Sequence, residues 1–169
     1  MDILYAPWRD KYVKHSIKHK DDENEACVFC TIFSATNADD KEFILKETDH
    51  AIVLLNIYPY NSGHVLILPK IHVANLDELS KNVRIELMEL MNASIIILKD
   101  VLCAQGINAG VNLGKISGAG IPGHVHLHVV PRWSGDTSFI TVVGGTKNIS
   151  VDLKRIYNEL KPAFTALEL

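Results

Sequence analysis

Three histidines stand at alternate positions in the run IPGHVHLHVVPRW: His124, His126 and His128. In a β-strand, alternate side chains point to the same face, and second neighbours lie about 7 Å apart. The three imidazoles would therefore line one surface, while the intervening Val and Leu face a core. Such a row is typical of a metal site or of a set of catalytic groups. A single histidine in a strand is more often a half-exposed residue without a special role.

The segment before this row, GKISGAGIPG, places four glycines within ten residues. Glycine lets the backbone approach a phosphate closely and present its N–H groups as an anion nest. A neutral imidazole beside such a nest attacks phosphorus once an acceptor holds the proton on its other nitrogen. Flanking histidines can then donate hydrogen bonds to phosphate oxygens or to a leaving group. The combination favours a chemical role over chance.

A second group of residues has the types and spacing of metal ligands. Cys27 and Cys30 form a C-x-x-C motif, and His72 follows in the run PKIH. Zinc prefers four tetrahedral nitrogen and sulfur ligands in a structural site, and one histidine of the row would complete a Cys2His2 set. Two alternatives stay open: a pair of partly buried cysteines, and a redox motif. A redox motif would be expected at the strand-to-helix junction of a βαβ unit, which the sequence does not offer.

The run NIYPYNSGHVLILPK places Asn56 at the end of one predicted strand and His64 at the start of the next. Pro, Asn, Ser and Gly between them are turn formers. The Asn56 amide could bind a ribose hydroxyl or cap the turn, and the local sequence favours neither.

Hydrophobic periodicity predicts an α+β domain built on an antiparallel sheet. A helical period starts at Asn75, with Glu78 placed for a capping box, continues towards residue 103 and is expected to stop at Gly106. The segment 31–47 is predicted to be rich in loops. The predicted strands are AIVLLNI (51–57), HVLILPK (64–70), NAGVNL (108–113), the histidine run (124–130) and SFITVVGG (138–145), and VDLKRIYNEL (151–160) predicts a helix that ends near Pro162.

Composition excludes several classes of protein. The chain has 169 residues, 47% of them apolar and 22% charged, with a net charge of −3. These values are typical of one soluble globular domain, and the acidic excess argues against a nucleic-acid partner. No segment approaches the roughly 18 consecutive apolar residues of a membrane span, and no signal peptide is evident. Three cysteines do not make a disulfide framework, which predicts a reducing, cytoplasmic setting.

The sequence resembles the histidine triad (HIT) superfamily. HVHLHVV matches the defining pattern His-φ-His-φ-His-φ-φ, where φ is apolar, and LNIYPYNSGHVLILPKIHV is similar to the family's second landmark. LYAPWRDKYV, at the start, and VVPRWSGDTSFITVVGGTK, after the triad, resemble the bacterial branch that includes diadenosine tetraphosphate phosphorylases. The resemblance implies a HIT-like fold, with an antiparallel sheet of about five strands, one long helix and a C-terminal helix.

The length of the chain predicts a single domain over residues 1–169, of which the resemblance covers roughly 25–145. Its core would cover about 25–145, preceded by an arm over 1–24 that includes a short helix and followed by a C-terminal helix over 150–162. The resemblance also implies homodimerisation.

The family's site residues map onto positions of this sequence. His126 matches the nucleophile that takes up a nucleotidyl group, and His128 and His64 match the residues that support it. Asn56 matches the residue that binds ribose. Nucleotide contacts are further expected from Asn112, Ser117, Gly118 and Gly120, and the zinc ligands of metal-containing members match Cys27, Cys30, His72 and His124. Where many members carry Ser, Thr or Gln before the triad, this chain has Gly120 and Ile121.

These residues predict nucleotidyl transfer from a dinucleoside polyphosphate, or another adenosine nucleotide, through a covalent nucleotidyl-histidine. Phosphate or water would release the nucleotide, zinc would be structural, and no organic cofactor is expected. The alternatives are a nucleotide-binding or regulatory module with little turnover, a hydrolase of nucleoside phosphoramidates, and a zinc-stabilised structural domain without nucleotide binding.

Overall fold

A computed structural model describes residues 27–34, 43–146, 149 and 152–168. The predicted N-terminal arm, 1–24, lies outside the described residues. The helices are α1 (Val28–Ser34), α2 (Lys81–Leu102), α3 (Phe139–Gly144) and α4 (Leu153–Thr165), and two short 3-10 turns cover Leu76–Glu78 and Lys115–Ser117. The strands are β1 (Ile44–Glu47), β2 (Ala51–Leu55), β3 (Val65–Pro69), β4 (Gly106–Val111) and β5 (Leu127–Arg132).

The strands form one antiparallel sheet in the order β1-β2-β3-β5-β4. Every residue of β2 and β3 is buried, as expected for central strands covered on both faces. On one face, Val53, Leu55 and Ile67 pack with apolar residues of α2 and α4 in the main core. On the other face, Leu54 and Leu66 join a smaller cluster with Phe29 of α1. This alternation places the long helix on one side of the sheet and α1 on the other.

The predicted α+β architecture with five antiparallel strands is confirmed, but the start and end of the long helix were predicted wrongly. Asn75 and Glu78 do form a capping box, yet it caps the 3-10 turn Leu76–Glu78. The helix α2 begins after Ser80, whose side chain accepts a hydrogen bond from the Val83 N–H. It ends at Cys103, whose left-handed φ of 52° stops the helix before Gly106, which instead opens β4.

Three further predictions about elements are corrected. SFITVVGG forms the helix α3 rather than a strand. Its β-branched residues favour a strand where a partner strand is available, but β5, the strand before it, is already paired on both sides with β3 and β4. The segment 31–47 contains the end of α1 and the whole of β1, which are too short to show a clear period. The C-terminal helix covers Leu153–Thr165 rather than 150–162, because Pro162 is tolerated inside it.

None of the helices in the described part of the chain combines the length and the apolar character that crossing a membrane requires.

Gly63 closes the turn between β2 and β3, and we expect its replacement by alanine to destabilise the fold. Its φ is +77°, and an added Cβ would lie 2.5 Å from Cδ1 of Leu102. Backbone strain and overpacking together should lower the free energy of unfolding by about 3 kcal/mol. Gly135 is the control, because its φ is +83° but no atom lies within 4 Å of an added Cβ. Urea unfolding of Gly135→Ala should show a loss of only about 1 kcal/mol in the free energy of unfolding. Equal losses in the two variants would show that overpacking against Leu102 does not contribute.

Candidate active site and metal centre

The three histidines of the triad lie at the start of β5 and on the extended segment before it. His128 is the second residue of β5, and its backbone pairs with Leu66 on one side and Gly110 on the other. His124 and His126 precede the strand and are buried, with 0% and 5% of their surface exposed. The rings of His126 and His128 are neighbours, with centroids 4.9 Å apart. The predicted row therefore exists, although only its last member lies within β5.

The hydrogen bonds of His126 assign its tautomer. Its Nδ1 lies 2.9 Å from the backbone oxygen of His124. A carbonyl oxygen only accepts, so Nδ1 carries the proton and donates it. The opposite nitrogen, Nε2, is left with a free lone pair. Burial lowers the pKa of His126, which keeps the imidazole neutral.

His64 is held in the opposite tautomer by the turn that precedes it. The backbone N–H of Tyr60 and the Nδ2 of Asn56 both lie 3.1 Å from Nδ1 of His64. Because a backbone N–H only donates, Nδ1 of His64 accepts and the proton sits on Nε2. That Nε2–H points at Nδ1 of His128, 3.0 Å away, and donates to it.

The proton of His128 consequently lies on its Nε2. This atom is buried and has no hydrogen-bond partner among the described residues. A buried donor without a partner costs about 1–3 kcal/mol, so an orphaned N–H at this position points to a ligand oxygen or nitrogen. His126 thus offers a lone pair and His128 a donor, on adjacent rings.

The electrostatics agree with these neutral tautomers. Burial, followed by the neighbouring His128 and His126, lowers the pKa of His64 to about 3. Burial, followed by His126, lowers the pKa of His128 to about 4. Both side chains are neutral at physiological pH, so the direction of the donor chain from His64 to His128 is stable there.

The lowered pKa of His64 predicts a loss of stability in acid. Unfolded His64 takes up a proton below about pH 6.5, whereas the folded residue does so only near pH 3. The unfolded state therefore binds more protons between these values, and stability falls as the pH decreases through that window. We expect His64 to contribute a slope of about 1.4 kcal/mol per pH unit. Urea unfolding of the wild type and His64→Gln between pH 6.5 and 4 measures this slope.

The exposed His50 provides the control for this measurement. The His64→Gln variant should show a flatter pH dependence than the wild type, and His50→Gln should not differ from it. Identical slopes in the wild type and His64→Gln would show that His64 is not the group responsible.

Asn56 lies at the end of β2, next to His64. Its Oδ1 accepts from the Tyr58 N–H at 2.9 Å, and its Nδ2 donates to His64. The turn-capping alternative for Asn56 is thus realised, and the second lone pair and second N–H of the amide stay available for a ligand. Asn112 directly follows the last β4–β5 pair, Val111 with Leu127, and His126 directly precedes it.

The glycine-rich loop connects β4 to the histidine segment. Gly114 and Gly118 have positive φ values of 77° and 88°, and neither has an atom within 4 Å of an added Cβ. The Ser117 hydroxyl donates to the Gly114 carbonyl oxygen at 2.7 Å. Ser117 and Gly120 are exposed. An open loop of this kind can bring backbone N–H groups to an anion.

Sequence reasoning did not identify the apolar surface beside the histidines. Leu54, Leu66, Leu68 and Phe29 form a buried cluster on the sheet face that carries His128. Ile32, Phe33 and Ile121 pack against its edge, together with Cys27. Leu54 and Leu66 belong to fully apolar strands, so the sequence could have shown that they face a separate apolar layer only if α1 had been recognised.

Cys27, Cys30, His72 and His124 come together although they are far apart in the sequence. One ligand atom from each lies within 4.8 Å of all the others. The Sγ atoms of Cys27 and Cys30 lie 3.5 and 3.6 Å from Nδ1 of His124, and the Sγ of Cys30 lies 3.4 Å from Nδ1 of His72. Ligands of a tetrahedral zinc ion, about 2.3 Å from sulfur and 2.0–2.1 Å from nitrogen, are separated by about 3.5 Å. The cluster therefore fits a metal ion.

The tautomer of His124 also fits metal binding. Its Nε2 lies 2.9 Å from the backbone oxygen of Pro69 and must donate to it. Nδ1 therefore turns a lone pair towards the two thiols, as a ligating imidazole requires. Burial, with the nearby Cys27 thiol, raises the pKa of Cys30. A bound cation would offset this cost because it stabilises the thiolate.

The chain matches the family model "HIT domain" over residues 37–135. It is 34% identical over 147 residues to a protein named AP-4-A phosphorylase from Mycobacterium tuberculosis, which covers 86% of this chain and 75% of that protein. It is also 31% identical over 107 residues to adenosine 5'-monophosphoramidase of Saccharomyces cerevisiae, covering 63% of each chain.

Among solved structures, the fold is similar to that of a zinc-bound histidine triad family protein from Mycobacterium smegmatis. The TM-score is 0.66 at 27% identity, and the match covers 83% of this chain and 94% of that one. The family model covers more than half of the sequence, and its match ends just beyond the histidine row. The chain therefore belongs to the HIT family, as the spacing of its histidines predicts.

Proposed function

We propose that this HIT protein transfers a nucleotidyl group from a dinucleoside polyphosphate, such as diadenosine tetraphosphate, through a covalent intermediate on His126. The observation that carries the proposal is the pair of opposite tautomers on adjacent rings. The lone pair on Nε2 of His126 is a nucleophile, and the orphaned Nε2–H of His128 is a donor for the group that leaves. The similarity to the M. tuberculosis phosphorylase supports the choice of substrate.

In the first step, Nε2 of His126 attacks the α-phosphorus and forms a phosphorus–nitrogen bond. The bond from this phosphorus to the bridging oxygen breaks, and the remaining nucleotide leaves with the electron pair. Its terminal phosphate is stable as an anion, so a hydrogen bond from Nε2–H of His128 is sufficient and no proton has to be transferred. The His124 carbonyl oxygen, which accepts from Nδ1–H of His126, stabilises the positive charge that the imidazole acquires.

In the second step, an acceptor oxygen displaces Nε2 of His126 from phosphorus and regenerates the free imidazole. Dividing one difficult displacement into two steps is the general advantage of a covalent intermediate. In this proposal His64 keeps His128 in the donor tautomer throughout both steps. The acceptor is a phosphate anion for a phosphorylase, or water for a hydrolase, in which case the water passes one proton to the solvent.

The remaining predicted residues bind the nucleotide in this proposal. Backbone N–H groups of the loop that contains Ser117, Gly118 and Gly120 face the phosphate oxygens, and Asn112 assists them. Asn56 binds a ribose hydroxyl with the part of its amide that the turn leaves available.

Cys27, Cys30, His72 and His124 would hold a zinc ion. All four ligands are supplied by the chain, so zinc would have a structural role and would leave the phosphoryl chemistry to the histidines. The distances and the His124 tautomer support this assignment.

A second copy of the chain is proposed as the partner, giving a homodimer. The outer edge of β4 is unpaired among the described strands, and unpaired edges readily add another strand. Ile85, Met88 and Ile96 of α2 are about half exposed and would be covered by the partner. We also propose a cytoplasmic setting, because Cys27, Cys30 and Cys103 are free thiols.

Product analysis tests the proposed reaction. We expect incubation with diadenosine tetraphosphate and inorganic phosphate to give ADP and ATP. The appearance of AMP and ATP without phosphate would assign the chain as a hydrolase instead, and the covalent step would stand. If neither pair forms and only nucleotide binding is detected, the enzymatic proposal for this substrate is wrong. An adenosine phosphoramidate should be assayed in parallel, because the yeast relative is named as a phosphoramidase.

A further inference from the structure

Phe29 lies between Cys27 and Cys30 in the first turn of α1 and reaches the triad. Only 5% of its surface is exposed. Its ring meets the His126 ring at a centroid distance of 5.3 Å and an angle of 63°, and the His124 ring at 5.5 Å and 82°. Edge-on contacts at these distances are the arrangements that aromatic rings prefer. One apolar side chain therefore contacts both the proposed nucleophile and a predicted metal ligand.

The contact matters because, in the described part of the chain, one hydrogen bond and two ring contacts are seen to fix the tilt of the His126 ring. The rotation of an imidazole about its Cβ–Cγ bond is governed by a broad potential with two minima. Among the described residues, one hydrogen bond, from Nδ1–H to the His124 oxygen, holds one edge of the ring. His128 packs on it from the side of the site at 4.9 Å. Phe29 packs on it as well, at 5.3 Å, and contacts His124 of the metal cluster.

The position of Phe29 is in turn fixed by the residues on either side of it. The Sγ atoms of Cys27 and Cys30 lie 3.5 and 3.6 Å from Nδ1 of His124. The backbone N–H of Thr31 donates to the Cys27 oxygen at 2.9 Å, so the two cysteines belong to the same helical turn. Holding both thiols at His124 consequently holds the Phe29 ring over His126.

We propose that Phe29 is a positioning residue, which orients the imidazole of His126 for attack and couples the Cys/His cluster to the active site. This inference rests on the proposed role of His126 as the nucleophile. The Cys/His cluster would then have a function beyond stability. A metal ion bound by the two cysteines of α1 would also fix the Phe29 ring, which aligns His126. Preorganisation of this kind should raise the rate of the chemical step rather than the affinity for substrate, since the imidazole must be aligned most accurately in the transition state.

Phe33 supplies a matched control on the same helix. It packs edge-on against His124 at 5.7 Å and 80°, and it borders the same apolar cluster. Among the described ring pairs, its histidine partner is His124 rather than His126. A structural effect of losing an aromatic ring near the cluster should appear in both variants, whereas a positioning effect should appear only at Phe29.

The experiment compares full-length, zinc-loaded wild type, Phe29→Leu, Phe29→Ala and Phe33→Leu. We expect Phe29→Leu to lower kcat about tenfold while KM and bound zinc stay unchanged, and Phe33→Leu to keep kcat within about twofold. The Phe29→Ala variant should show a larger decrease in kcat than Phe29→Leu. If Phe29→Ala does not fold, Phe29→Leu still decides the question.

A second readout needs no substrate. Long-range proton–nitrogen NMR of the imidazoles should show His126 with its proton on Nδ1 alone in the wild type and in Phe33→Leu, and a mixture of tautomers in Phe29→Leu. A single tautomer with unchanged kcat in Phe29→Leu would overturn the inference. An equal decrease of kcat in Phe33→Leu would also overturn it, and so would a decrease in Phe29→Leu that is explained by released zinc. If the wild type does not turn over the dinucleotide, the proposed function fails, and the NMR comparison still decides the role of Phe29.

Discussion

Replacing His126 by alanine should abolish turnover and leave the rest of the site in place. We expect the rate to fall by about 10⁴-fold or more, the size of effect seen when a covalent nucleophile is removed from a hydrolase. The rate falls because the attacking atom, Nε2 of His126, is removed. Its lone pair is free because Nδ1 carries the proton and donates it to the His124 oxygen. His128 keeps its donor, because its tautomer is determined by His64. Nucleotide affinity should therefore be retained.

The measurement compares steady-state turnover with nucleotide binding by calorimetry for the same preparation. His50→Ala is the control, because His50 is exposed and lies in the turn between β1 and β2. A His126→Ala variant that binds nucleotide, keeps its metal and is inactive would also exclude the alternative of a binding module with vestigial chemistry. Residual activity within tenfold of the wild type would show that His126 is not the nucleophile.

Replacing Cys30 by serine should destabilise the fold and release the metal. The Sγ of Cys30 is close to both His72 and His124, at 3.4 and 3.6 Å, so its loss removes the ligand that links the two imidazoles. Because the site is assembled only in the folded chain, the free energy of metal binding adds to the free energy of folding. We expect a loss of about 3 kcal/mol when free zinc exceeds its Kd about a hundredfold.

Cys103→Ser is the matched control, since Cys103 is an exposed thiol outside the cluster. Metal content and thermal unfolding should be measured for both variants, with and without a chelator. The chelator should lower the Tm of the wild type and of Cys103→Ser but not that of Cys30→Ser. If Cys30→Ser retains one zinc per chain, or if the chelator leaves the wild type unchanged, the assignment of the cluster is wrong.

The sequence predicted this site better than it predicted the elements around it. Alternate spacing is a local property, so the histidine row could be identified from a few residues, and the family resemblance assigned different roles to its members. The convergence of Cys27, Cys30 and His72 on His124 is a long-range property that no local pattern reports. The ligand types suggested a set with one histidine of the row, and the family resemblance identified that histidine as His124. The structure brings these four residues together.

The errors have physical causes of their own. β-Branched residues in SFITVVGG suggested a strand, but the helix or strand preference of such a segment depends on whether a partner strand is available. The helix α1 has only seven residues and shows no helical period, so the sequence pattern does not distinguish Phe29 from other apolar residues. The tautomers of His64, His126 and His128 depend on which backbone atoms face each nitrogen. They could be assigned only once the turn before His64 and the carbonyl oxygen of His124 were located.

Trapping the covalent intermediate is the most direct test of the proposal that His126 is the nucleophile. The wild-type protein should be mixed with diadenosine tetraphosphate in the absence of phosphate, quenched rapidly under alkaline conditions, digested and examined by mass spectrometry. We expect one adenylyl group on the peptide that contains HVHLHVV, attached at His126. This group should disappear when an acceptor is added and should be missing from His126→Ala. Turnover with the adenylyl group on another residue, or an adduct that persists in His126→Ala, would contradict this proposal.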